Sequence, residues 1–95
     1  MIAPMTLSAV AQACGGVFTA DPATPIDGLA IDSRAVRPGD LFVALEGARV
    51  DGHAYLDSAA ASGAVAALVE RPQASALPQI VVADTAVALG QIAAA

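Results

Sequence analysis

The chain has 95 residues, of which 57% are hydrophobic and 14% are charged. This is enough apolar material for one small folded domain and too much for a disordered chain. The formal net charge is −5 and there is no lysine, which argues against nucleic acid and anionic membranes as partners. Without lysine, Schiff-base chemistry and a phosphate-loop lysine are excluded. The single cysteine, Cys14, excludes an internal disulfide and a cysteine-rich metal site.

Residues 1–20 carry no charged side chain, so a signal peptide has to be considered. They also lack the basic start of such a peptide, and their apolar residues recur at the spacing of one helix face. No stretch of the sequence reaches the ~18 consecutive apolar residues of a membrane span. We therefore expect a soluble, cytoplasmic protein.

The predicted elements alternate between helix and strand, as is typical of an α/β domain. Thr6 can cap a first helix and the pair Gly15–Gly16 can end it in a left-handed turn, whereas Gly63 can end a second helix. Three apolar runs, LFVAL, AVAALVE and QIVVA, are typical of strands covered on both faces. In chain order we predict a helix at 5–16, strands at 17–20, 29–31 and 41–45, a helix at 54–63, strands at 64–70 and 79–83, and a helix from 84, with loops at 21–28, 46–53 and 71–78.

The unit from Leu41 to Val69 has the order strand, helix, strand, which predicts a right-handed crossover between two parallel strands. The predicted fold is α/β: a small mixed sheet with flanking helices. The last helix, capped by Asp84 or Thr85, has no terminating residue. We expect residues 1–83 to form the domain and residues 84–95 to begin a helix that leads toward a further domain.

The charged residues are concentrated in DSRAVRPGDLFVALEGARVDGH, residues 32–53, which contains three of the four arginines and the only histidine. The two predicted loops that carry them follow strands, and ligands of open α/β sheets bind at the carboxyl ends of strands. Gly47 and Gly52 would let the backbone approach a ligand closely. A nucleotide base or a diphosphate suits such a rim. Its side chains would be Ser33, Arg34, Arg49 and His53.

Simpler structural roles are also open for these residues. Asp32 and Ser33 often satisfy only their local backbone, and Asp40 follows Pro-Gly as a turn residue would. His53 has no evident acidic partner for base catalysis, and a histidine at a helix start often bonds to the backbone. Cys14 is expected to be a packed core thiol. The sequence contains no GxxxxGK[ST], GxGxxG, HExxH or GxSxG motif, so no catalytic machinery is predicted.

The stretch DSRAVRPGDLFVALEGARVDGHAYLDSAAASGAVAALVERP, followed by PQIVVADTAVALGQIA, resembles the N-terminal domain of the Mur ligases of bacterial peptidoglycan synthesis. Two branches share the pattern DSR…PGDLFVAL.G…DGH. One adds the third amino acid to a UDP-muramoyl dipeptide, and the other joins D-alanyl-D-alanine to UDP-N-acetylmuramoyl-tripeptide. The stretches MTLSAVAQACGG, VERP and DTAVALGQIA are more similar to the second branch.

The resemblance implies a ligase that uses ATP and magnesium to form an amide bond, through an acyl phosphate on the peptide carboxylate. In that family the phosphate loop, the magnesium site and the carbamylated lysine lie in a central domain, and a C-terminal domain largely holds the incoming amine. This chain would then carry no cofactor and no catalytic residue. Its partners would be the UDP-N-acetylmuramoyl-peptide and the other domains of its own chain.

By position, the resemblance also implies which residues of this chain contact the uridine end of the substrate. The three residues of the A-R-V loop would act through backbone atoms, and the Asp51–His53 turn would shape that loop. The alternative to a ligase domain is an independent interaction module with the same fold, which would have no affinity for uridine. The implied contacts are Ile31, Ser33, Gly47, Ala48, Arg49 and Val50, with Arg34 and His53 as further candidates.

Overall fold

The computed structural model describes residues 5–15, 17–18, 25–45, 52–75 and 77–94. Helices and strands alternate through most of this part of the chain. Two short 3-10 turns, Ser33–Ala35 and Gly52–Tyr55, follow two of the strands. The elements are β1 (Met5–Thr6), α1 (Leu7–Cys14), β2 (Val17–Phe18), β3 (Pro25–Ile26), β4 (Gly28–Ala30), β5 (Asp40–Val43), α2 (Leu56–Ala61), β6 (Ala66–Val69), β7 (Gln79–Val81) and α3 (Thr85–Ala94).

A five-stranded mixed sheet with the order β2-β7-β6-β5-β4 forms the centre of the domain. Strands β4 to β7 are parallel, and β2 pairs with β7 in the antiparallel direction. The predicted α/β class with a small mixed sheet and flanking helices is therefore confirmed. The predicted strand-helix-strand unit forms β5, α2 and β6, and its two strands are parallel neighbours.

Helices cover both faces of the sheet, so every residue of β5 and β6 is buried. Side chains alternate between the two faces along each strand. On one face, Leu41 and Leu68 pack with Val10 of α1 and Ile92 of α3. On the other face, Phe42 packs in the cluster that includes the buried residues of α2. The two parallel strands are thus fixed by cores on both sides.

The structure adds a strand pair that the sequence patterns did not predict. The predicted loop 21–28 contains β3, which pairs antiparallel with β1 at the start of the predicted first helix. Thr6 ends β1 and also caps α1, because its hydroxyl accepts a hydrogen bond from the N–H of Ala9 over 3.2 Å. Helix α1 ends at Gly15, which has a φ of 67° as its predicted role requires.

The second predicted helix begins differently from the expectation. Its first two residues belong to the 3-10 turn Gly52–Tyr55, which starts in the predicted loop, and the α-helix starts only at Leu56. The helix is followed by Gly63 with a φ of 111°. A β-carbon on Gly63 would lie 2.7 Å from the Cα of Pro38, so the residue is fixed by backbone shape and by close packing.

Helix α3 is capped by Asp84, whose Oδ1 accepts the N–H groups of Ala86 and Val87 over 2.9 and 3.1 Å. It packs against α1. That residues 84–95 also lead toward a further domain stays a prediction. Within the described ranges, no helix is long and apolar enough to cross a membrane.

Candidate functional site

An open cleft of about 630 Å³ lies where β4 and β5 end. One wall is the segment that follows β4, and a second wall belongs to the 3-10 turn before α2. The carboxyl ends of parallel strands meet at one edge of a sheet, which is where α/β proteins bind ligands. The lining residues are Ile31, Asp32, Ser33, Arg34, Phe42, Leu45, Gly52 and Tyr55.

The structure brings together part of the set that the sequence predicted. Ile31, Ser33 and Arg34 line the cleft, and Gly52 faces them from the return of the second loop. Whether they bind a ligand stays a prediction. The predicted loop residues Gly47, Ala48, Arg49 and Val50 lie outside the described residues.

The first wall carries an ion pair between Asp32 and Arg34. The Asp32 carboxylate accepts hydrogen bonds from Arg34 at Nε over 3.1 Å, at a terminal guanidinium nitrogen over 2.9 Å and at the backbone N–H over 2.9 Å. The backbone bond caps the turn Ser33–Ala35. Such exposed pairs contribute little stability. The backbone bond to Asp32 orders the turn that carries Ser33, and the ion pair balances the charge of the wall.

The same pair shifts the titration of both groups. Hydrogen bonds from the Arg34 side chain, and then from its backbone N–H, lower the pKa of Asp32 from 3.8 to about 2. The hydrogen bond from Asp32 raises the pKa of Arg34. Because the carboxyl pKa is lower in the folded state, the stabilisation is complete above about pH 4 and is lost as pH falls through 2.

Replacing Arg34 by methionine is expected to raise the pKa of Asp32 toward 3.8 without reaching it, because the backbone N–H of residue 34 still donates. Carbon-13 NMR titration of the Asp32 carboxyl measures this change. Arg37→Met removes another exposed arginine and should leave the pKa at about 2. A pKa near 3.8 in the unaltered chain would refute the ion pair.

The floor and the facing wall of the cleft are apolar. Phe42 is 1% exposed and still reaches the cleft, beside Leu45. Ile31 and Tyr55 are large apolar side chains with 57% and 41% of their surface exposed, and both line the cleft. Exposed apolar side chains grouped around a concave surface are typical of ligand sites. The arrangement suits a flat ring with polar edges.

Gly52 fixes the spacing between the end of β5 and the facing wall. Its N–H donates to the carbonyl oxygen of Leu45 over 2.8 Å. A β-carbon on Gly52 would lie 2.8 Å from the backbone nitrogen of Leu45 and 3.0 Å from the Cα of Ala44. Both contacts are with backbone atoms, which cannot move aside cheaply. The turn can approach the strand this closely only with glycine at this position.

Two residues of the charged segment point away from the cleft. His53 is 4% exposed, and its Nε2 accepts the backbone N–H of Glu70 over 2.9 Å. The backbone bond considered for it in the sequence is therefore present, and the imidazole does not line the cleft. Asp40 starts β5, and its buried carboxylate accepts the N–H of Arg37 over 2.9 Å. The side chain of Cys14 lies outside the described atoms.

The sequence analysis missed four lining residues, Asp32, Phe42, Leu45 and Tyr55, and for Asp32 it considered only a local backbone role. Tyr55 is one of three aromatic residues in the chain and directly follows the DGHA segment, a signal that could have been used. Phe42 looked like an ordinary core residue. Among the described positions, no group of three or more histidine, cysteine, aspartate or glutamate residues could hold a metal ion.

These features define an α/β domain with an open cleft at the carboxyl ends of its parallel strands. A family model described as "Mur ligase family, catalytic domain" matches residues 25–95. The chain therefore belongs to the Mur ligase family, and it corresponds to the N-terminal domain of that family, as the sequence motifs predicted.

Two curated relatives come from different branches of the family. UDP-N-acetylmuramoyl-tripeptide–D-alanyl-D-alanine ligase of Escherichia coli K12 is 43% identical over 90 residues, which cover 95% of this chain and 20% of that protein. UDP-N-acetylmuramoyl-L-alanyl-D-glutamate–2,6-diaminopimelate ligase of Streptomyces coelicolor is 45% identical over 84 residues, which cover 83% of this chain and 17% of that protein.

Solved structures show the same fold. A crystal structure of MurF from Acinetobacter baumannii has a TM-score of 0.90 and 40% identity, covering 98% of this chain and 21% of that one. MurF ligase from Thermotoga maritima in complex with ADP has a TM-score of 0.62 and 36% identity, covering 68% of this chain and 15% of that one. The chain thus spans about a fifth of the length of its first relatives.

Proposed function

We propose that this domain binds the uridine diphosphate end of a UDP-N-acetylmuramoyl-peptide and is part of a ligase of peptidoglycan synthesis. The observation that carries the proposal is the cleft that joins the DSR segment to the DGH segment, with Ser33 and Gly52 on its two sides. Both curated relatives are named for substrates that begin with UDP-N-acetylmuramoyl. The predicted contacts Ile31 and Ser33 belong to this cleft.

The chemistry of the lining suits a nucleoside. Phe42 and Leu45 offer an apolar floor on which a base can lie, with Ile31 and Tyr55 at its sides. The Ser33 hydroxyl can donate to or accept from a base amide or a ribose hydroxyl. The Asp32–Arg34 pair places one positive and one negative charge at the rim, so the lining side chains bring no net charge to the ligand.

Such a site assists a reaction without taking part in it. Binding energy from a remote, unreactive part of a substrate can be used to position the reacting group. A ligase that holds the uridine end here would deliver the peptide carboxylate to machinery formed by other parts of the protein. The chain itself would contribute binding and orientation, and no catalytic residue.

In this proposal, ATP binds to parts of the ligase other than this domain. The chain has no lysine and no phosphate-loop motif, whereas the Thermotoga maritima relative was solved with ADP. We propose that the whole ligase uses ATP with magnesium to activate the carboxylate, and that both are bound outside these 95 residues. We also propose the cytoplasm as its location, where such a nucleotide substrate and ATP are available.

Isothermal titration calorimetry with UDP and ADP tests the binding role of the domain. UDP is expected to bind with a dissociation constant on the order of 1 mM, because the domain supplies only part of the substrate contacts. ADP should bind at least about tenfold more weakly. Equal affinity for the two nucleotides, or no heat with UDP at about ten times that concentration, would contradict the proposal.

We further propose that the ligase joins D-alanyl-D-alanine to UDP-N-acetylmuramoyl-tripeptide. The relative named for that reaction matches 95% of this chain, compared with 83% for the diaminopimelate ligase. The similar identities keep the diaminopimelate branch as the second candidate. Phosphate release by the ligase that contains this domain, assayed with D-alanyl-D-alanine and with single amino acids, separates the two. Turnover with a single amino acid and UDP-muramoyl dipeptide would favour the second candidate.

A further inference from the structure

We propose that His53 is a positioning residue for the cleft, acting through the 3-10 turn Gly52–Tyr55 that forms one of its walls. The inference rests on the proposed function, since it concerns the wall that would meet the ligand. It assigns to His53 a role that involves no contact with the ligand and no proton transfer.

The turn presents residues in two directions. Gly52 and Tyr55 line the cleft, whereas His53 is 4% exposed and points into the molecule. Its Nε2 accepts the backbone N–H of Glu70 over 2.9 Å, across a sequence separation of 17 residues. The imidazole thus ties the wall to the carboxyl end of β6, the strand beside the one that ends at the cleft.

The position of Glu70 is also fixed by hydrogen bonds between its side chain and the start of α3. Its carboxylate oxygen Oε2 accepts the backbone N–H of Thr85 over 2.9 Å and the Thr85 hydroxyl over 3.1 Å, at the start of α3. Thr85 is 1% exposed. Glu70, whose N–H donates to His53, is therefore fixed between β6 and a ten-residue helix.

Two hydrogen bonds among the described residues contribute to the position of the wall. The N–H of Gly52 donates to Leu45 at the end of β5, and His53 accepts from Glu70 at the end of β6. The first bond holds the turn against the residues that follow β5, and the second holds it against the residue that follows β6. If the second bond is lost, the proposal predicts that Gly52 stays attached to Leu45 and that Tyr55 shifts relative to the rest of the cleft. Small displacements of a binding surface are enough to lower the affinity for a ligand strongly.

The conservative variant separates positioning from simple packing. His53→Gln keeps an acceptor oxygen at a reach similar to that of Nε2, whereas His53→Leu fills the space and leaves the N–H of Glu70 without this partner. Ile92→Val is the control for stability, because Ile92 lies in the core on the α1 and α3 side of the sheet. It should lower the melting temperature and leave UDP affinity unchanged.

The experiment measures UDP affinity at a temperature where all variants are folded by circular dichroism, together with amide hydrogen exchange. We expect His53→Leu to raise the dissociation constant for UDP about tenfold. For His53→Gln, this constant should stay within about threefold of its value in the unaltered chain. Exchange at the amide of Glu70 should accelerate in His53→Leu more than exchange within β6.

Three results would overturn the inference. The first is that His53→Leu binds UDP as the unaltered chain does, and the second is that His53→Gln fails to restore binding; both leave the proposed function intact. The third is an unaltered chain that does not bind UDP, which overturns the proposed function and the inference together.

Discussion

Phe42→Ala is expected to destabilise the domain by about 3–5 kcal/mol, the usual effect of removing a fully buried aromatic side chain. Phe42 is 1% exposed and packs between the sheet and α2. A domain of this size has a total stability of about 5–15 kcal/mol, so the variant would retain little of it. Thermal unfolding followed by circular dichroism should show a melting temperature lower by more than about 10 °C.

The same substitution should also affect binding, because Phe42 is part of the floor of the cleft. Leu68→Ala is the matched control, since Leu68 is fully buried in the core on the opposite face of the sheet. It should lose about 2–5 kcal/mol of stability and keep UDP affinity when measured in the cold on folded protein. If the two variants lose affinity equally, the floor assignment is wrong.

Gly52→Ala is expected to weaken UDP binding about tenfold or more and to destabilise the domain by about 1–3 kcal/mol. The added methyl group would meet the backbone of Leu45 at 2.8 Å and of Ala44 at 3.0 Å, so the wall of the cleft has to move outward. Calorimetric titration with UDP and thermal unfolding measure the two effects.

Gly90 provides the control, because alanine at this position is expected to stabilise the domain. Gly90 lies inside α3, and a β-carbon there meets nothing within 4 Å. Gly90→Ala should stabilise the domain by roughly 0.5–1 kcal/mol, because alanine loses less backbone entropy in a helix, and should leave UDP affinity unchanged. If Gly52→Ala binds UDP as well as Gly90→Ala does, the close packing of Gly52 against the backbone of Leu45 does not position the wall.

The parallel core of the fold could be predicted because its signals are strong and local. The apolar runs that contain Leu41 and Leu68 are strands covered on both faces, and alternation with helices gave the parallel pairing. The capping residues Thr6 and Gly15 were recognisable for the same reason. Each of these features depends on a few adjacent residues.

The pairing of β1 with β3 could not be predicted, because each strand has two residues and their contact is between distant parts of the chain. No hydrophobic period can be detected over so short a span. The late start of α2 has a related cause. The first turn is bound to its surroundings, through Gly52 to Leu45 and through His53 to Glu70, and tertiary bonds override helix propensity there.

Part of the candidate site followed from topology alone. Residues after parallel strands meet at one edge, which placed Ser33 and Arg34 together with the return of the second loop, whereas Ile31 was implied only by the family resemblance. The contribution of Phe42 was not visible, because a buried strand residue carries no sign that its face borders a cleft. The inward direction of His53 depends on Glu70, which lies 17 residues away.

The most direct test of the central claim is an amide NMR titration of the 95-residue chain with UDP. If the cleft binds the uridine end of the substrate, chemical shifts should move at residues 31–34 and 52–55 and at Phe42 and Leu45, and should remain still on α3 beyond its first turn. Shifts confined to α3 or to the β1–β3 pair, or no shifts at ligand concentrations on the order of 10 mM, would contradict it.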